Sequence, residues 1–98
     1  MNDTTAPTDT GVNVLCVDDQ PLVAEALRRM LEPEADIAFH STQDPAKALN
    51  MALELKPTVV LLDLVMPEID GLTLVKFFRA HPKLKDLPLV MLSTREEP

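Results

Sequence analysis

The sequence predicts an α/β fold on one parallel, doubly wound sheet, and three observations carry that prediction. Apolar runs of strand length recur at 12–17 (VNVLCV), 58–63 (TVVLLD) and 89–93 (LVMLS). Segments with helical spacing of apolar residues separate them. The first run breaks into Asp18-Asp19 and the second ends in Asp63, so acidic side chains collect where strands stop.

Taken in order, residues 1–11 (MNDTTAPTDTG) are polar and without period, and they are expected to form a flexible leader ahead of a domain over 12–98. The first strand is followed by Pro21, which suits the opening position of a helix. Leu22, Val23, Ala26, Leu27, Met30 and Leu31 then recur on one helical face, with Glu25, Arg28 and Arg29 opposite. Glu32-Pro33 ends this helix, and 37–41 (IAFHS) alternates as a short second strand does. Asp44-Pro45 offers a cap and first-position pair for a second helix, which Lys56-Pro57 stops. The third strand is apolar on both faces, the pattern of a parallel strand covered by helices. A third helix spans Gly71 to about Ala80, and Pro88 leads into the fourth strand. Strands separated by helix-length segments pair in parallel through right-handed crossovers.

Composition narrows the function classes. Ninety-eight residues at 46% hydrophobic allow one aliphatic core, since aromatics make up only 3%. A net charge of -7 argues against nucleic-acid binding, which depends on clustered Lys and Arg. No apolar run approaches the roughly 20 residues of a membrane-spanning helix. The N-terminus lacks a secretory pattern and Cys16 has no intrachain partner, so the cytoplasm is the expected compartment. Cys16 reads as a core residue, His40 and His81 as structural, and the methionines at 30, 51, 66 and 91 as packing groups. Phe77 and Phe78 are expected at the core and its margin, and Lys83 and Lys85 as solvated loop charges.

Ligands of open α/β sheets bind beyond the carboxyl ends of the strands, where the winding direction reverses. If the first and third strands are neighbours, as in a flavodoxin-like order, Asp18, Asp19 and Asp63 converge there. Two like charges about 4 Å apart repel by roughly 4 kcal/mol at an effective dielectric near 20. A cation relieves that repulsion, and a set of oxygen ligands completed by water suits Mg²⁺. One such aspartate alone would read as a helix cap or turn former. Three at the ends of two apolar strands point to a shared site.

These residues, with Met66-Pro67 and Asp70-Gly71 in the run DLVMPEIDG, resemble the response-regulator receiver of two-component signalling, and the likeness extends from Val12 to the C-terminus. The resemblance implies a CheY-like fold in which Asp63 accepts a phosphoryl group from a sensor histidine kinase or phosphotransfer protein. It implies Mg²⁺ held by Asp18, Asp19, Asp63 and the backbone carbonyl of Val65, with Ser93 as the switch hydroxyl. The Val65 side chain, which cannot position water by hydrogen bonding, implies a comparatively long-lived phospho-state. The LSTREEP ending and DLVMPEIDGLTL further resemble receivers of WspR-type regulators, whose output is a diguanylate cyclase. Any such enzymatic activity would lie in an output domain outside this chain.

The family continues with a helix, a fifth strand ending in lysine and a last helix, and this sequence ends at Pro98 before them. An incomplete receiver is therefore expected, with an apolar fourth-strand edge that invites a homodimer by pairing or strand exchange. The competing function is a phosphorylation-independent interaction module. A dehalogenase-type phosphatase, the other class with a strand-end Asp nucleophile, needs a second Asp where Val65 stands.

Overall fold

The computed structural model describes residues 11–66 and 69–92. Strand β1 (Val12–Val17) is followed by α1 (Pro21–Leu31), β2 (Ile37–Thr42), a 3-10 turn (Pro45–Lys47) that runs into α2 (Ala48–Leu55), β3 (Val59–Asp63), α3 (Gly71–Ala80) and β4 (Leu89–Leu92). All pairings are parallel, in the order β2-β1-β3-β4. The chain winds outward from β1 to β2 and returns across it to β3, so right-handed crossovers place α1 on the face opposite α2 and α3.

Period-two alternation sorts the strand residues between those faces. Leu15 and Val17 of β1, with Val60 and Leu62 of β3, meet Ala48 and Ala52 of α2 and Leu74 and Phe78 of α3 in the main core. Val14 and Cys16 point the other way and are also buried, so β1 is covered on both sides. Cys16, the expected core thiol, is fully buried. Asn13 ties the end of α2 to the sheet, its Nδ2 donating to Leu55 O at 2.8 Å.

Local chemistry sets the helix ends. Asp44 and Asp70 cap through their side chains, accepting from Ala46 N and Thr73 N at 2.9 and 2.8 Å. Helix α1 instead starts on Pro21 with Gln20 at the cap and no side-chain bond there. Neither Asp18 nor Asp19 is spent on capping it.

Two packing expectations fail: Leu22 is 80% exposed and Met30 71%. Phe78 is fully buried and Phe77 is 48% exposed, at the core and its margin. Helix α1 has no fully buried residue. Consecutive residues on a helix point about 100° apart, so only one of Phe77 and Phe78 can face the sheet. The leader through residue 10 and the switch candidate Ser93 lie outside the described residues. Among the described residues, no helix is long and apolar enough to cross a membrane.

Candidate metal and phosphoryl site

Sheet register builds the site. Val17 pairs with Leu62 across β1 and β3, so one step further along the two parallel strands Asp18 and Asp63 stand side by side. Asp19 follows at once, and one carboxylate oxygen from each of the three lies within 4.8 Å of the others. Asp18 and Asp63 are both 1% exposed, which is unusual for carboxylates without a basic partner.

Two short backbone turns orient this pair. Asp18 Oδ1 accepts from Gln20 N at 2.8 Å, and Asp63 Oδ1 accepts from Val65 N at 3.2 Å. Each carboxylate is thereby anchored through one oxygen. Among the described residues, the second oxygens, Asp18 Oδ2 and Asp63 Oδ2, are buried without a hydrogen-bond partner, and so is Asp19 Oδ1. Burial pushes the Asp18 carboxyl above the usual carboxylate range, and the charges of Asp63 and Asp19 add to this against the Gln20 N–H. Burial, with Asp18 and Asp63 nearby, also lifts the Cys16 thiol to about 11.

Orphaned, converging carboxylate oxygens fit a small hard cation. It would replace the missing partners and cancel the mutual repulsion, while water filled its remaining positions. Val65, half exposed at the rim, leaves the pocket open to a reactant.

The structure thus brings together Asp18, Asp19 and Asp63 and sets Val65 beside them. The sequence did not disclose the role of Gly71. Its N–H donates to Leu64 O at 2.9 Å, and an ideal Cβ there would meet Asp63 O at 2.5 Å and Leu64 Cα at 2.7 Å. Only a glycine lets α3 begin this close to the strand end that carries Asp63, and the run Asp70-Gly71 is its one visible sign.

Known proteins share this arrangement of strands. The chain is 41% identical over 88 residues to a protein-glutamate methylesterase/protein-glutamine glutaminase of Hydrogenovibrio crunogenus, covering 88% of itself and 22% of that protein. It is 30% identical over 80 residues to the DNA-binding dual master transcriptional regulator RpaA of Synechocystis, covering 82% of itself and 33% of the regulator. It therefore spans a third or less of the length of these two relatives. Among solved structures, chemotaxis protein CheY4 of Vibrio cholerae superposes with a TM-score of 0.79 at 27% identity, over 91% of this chain and 73% of that one. The N-terminal domain of a response regulator receiver protein from Methanoculleus marisnigri JR1 gives 0.80 at 25%, over 89% and 70%. The family model for the response regulator receiver domain matches residues 14–98, from within β1 through both strand ends that bear the carboxylates, and the chain accordingly belongs to the response-regulator receiver family.

Proposed function

We propose that this chain is the phosphoacceptor module of a two-component response regulator, with Asp63 taking a phosphoryl group from a sensor histidine kinase or phosphotransfer protein. The observation that supports this most is the trio Asp18, Asp19 and Asp63, whose free oxygens converge with no basic partner among the described residues. In this reading Asp18, Asp19, Asp63 and the Val65 carbonyl hold Mg²⁺, which when bound neutralises charge on the transferring phosphoryl oxygens.

The chain's own residues account for the rest. Val65 N–H fixes Asp63 Oδ1, so the carboxylate presents Oδ2 as nucleophile. The bond from Asp63 oxygen to phosphorus forms as the bond from phosphorus to the donor imidazole nitrogen breaks, and the imidazole, already protonated on its other nitrogen, leaves as the neutral ring. Ser93, which follows Leu92 in the sequence, is proposed to turn its hydroxyl toward the new phosphoryl oxygens. The apolar Val65 side chain leaves attacking water unpositioned and slows loss of the phosphoryl group.

The module switches an output carried elsewhere and is not itself the output enzyme. A diguanylate cyclase output is supported by the resemblance of DLVMPEIDGLTL and LSTREEP to WspR-type receivers, whereas the relatives compared above are a methylesterase and a transcriptional regulator.

Incubation with acetyl phosphate and Mg²⁺ tests the reading by intact-mass measurement. One alkali-labile phosphoryl adduct is expected, absent in Asp63→Asn and absent when Mg²⁺ is removed by chelation. An unmodified parent chain would favour the phosphorylation-independent interaction module instead.

A further inference from the structure

At the end of the sheet opposite the carboxylates, a cleft of about 600 Å³ opens between the close of α2 and the turn that leaves α3. Its volume falls within the range of about 300–1,000 Å³ typical of small-molecule sites. Ala52, Pro57 and Leu84, all buried, form an apolar base. Lys56, His81 and Lys83 line its rim. We propose that this cleft binds a small carboxylate carried on an apolar body, of the class of a medium-chain acyl carboxylate.

Charge is the first argument. The chain carries a net charge of -7, yet among the described residues no acidic side chain lines this cleft, although Glu54 and Asp86 stand close by in sequence. Ion pairs among the described residues join Glu25 to Arg28 and Arg29, and none engages Lys56 or Lys83. Two ammonium groups therefore flank an apolar base, and no carboxylate of the described residues pairs with them. His81 adds a directional donor: its Nδ1 accepts from Lys83 N at 3.1 Å, so the neutral ring carries its proton on Nε2.

Backbone geometry is the second. Lys56 ends α2 with φ 52° and ψ 57°, the left-handed conformation that glycine adopts at lowest cost. Its N–H closes the helix on Ala52 O at 3.0 Å. A lysine stands where backbone preference would place a smaller residue, and that lysine sits on the cleft rim. The facing wall is equally fixed. Arg79 donates to Lys85 O and Leu87 O at 2.7 and 2.8 Å, and Leu84 N and Leu87 N bond back to His81 O and Leu84 O. The cleft is a preformed recess between two braced segments.

The inference stands apart from the phosphoryl chemistry and is tested on the same chain without acetyl phosphate. Octanoate is titrated while backbone amides are followed by NMR, with 1-octanol as the uncharged control. Saturable shifts are expected at Ala52, Leu53, Lys56 and 83–87, with octanol at least about tenfold weaker. Lys83→Gln and Lys56→Gly should each weaken octanoate several-fold. Lys56→Gly relieves the left-handed strain, so its melting temperature should hold or rise, and its lost binding cannot be put down to misfolding. Absence of saturable shifts at the cleft, equal binding of octanol, or undiminished binding by both variants would overturn the proposal.

Discussion

Two aspartates with opposite environments decide how single residues couple this protein to pH. Asp70, accepting from Thr73 N at the head of α3, is held below the ordinary carboxylate pKa. Its stabilisation is present above pH 3.8 and is lost as pH falls through the lowered value. Asp18 is raised by burial and by its acidic neighbours, so its contribution runs the other way. That contribution is full below pH 3.8 and disappears as pH rises through the raised value, which leaves the metal-free chain strained near neutrality. Asp18→Asn should therefore raise the melting temperature of the metal-free protein by several degrees at pH 7 and by little near pH 3.5, measured by calorimetry. It should also abolish most of the stabilisation that Mg²⁺ gives the parent. Asp18 and its neighbour Asp63 were legible in the sequence because each follows or ends an apolar strand. The hydrogen bonds that orient them were not, since a backbone N–H two residues on leaves no mark on residue identity.

At the scale of elements, the start of α3 is the part most sensitive to one added carbon. Gly71 lies against the backbone of Asp63 and Leu64, so Gly71→Ala forces the helix away from the strand end. Overpacking of this kind costs about 1–3 kcal/mol, readable as a lower urea midpoint. Because the displaced backbone carries Asp63, divalent-cation affinity should fall alongside stability, whereas a purely structural defect elsewhere would spare it. Among the elements themselves, existence and order followed from the apolar runs and from Pro21 and Asp44-Pro45 at the helix starts. What failed was the depth of burial. A periodic stripe says which face turns inward and says nothing of how much sheet lies beneath, so Leu22 and Met30 looked like core residues and are not.

For the whole molecule, topology was legible because crossover handedness leaves few ways to join four parallel strands. The order β2-β1-β3-β4 put two acidic strand ends side by side as foreseen. The cleft beside Lys56 and Lys83 was not legible, because it is made by segments distant in sequence whose lysines resemble solvated charges. Its volume exists only once α2 and the turn after α3 have docked on the sheet.

Cys16 carries a consequence for experiment. Its sulfur is sealed between α1 and the sheet on the strand that both β2 and β3 flank, and its proton is held to about pH 11. An alkylating reagent can reach a competent thiolate only when the central strand comes apart. Carbamidomethylation followed by mass spectrometry should therefore act as a built-in stopwatch for opening of the sheet. If millimolar Mg²⁺ binds as proposed at the strand ends bearing Asp18 and Asp63, it should slow that stopwatch, and rapid reaction indifferent to the ion would break the link.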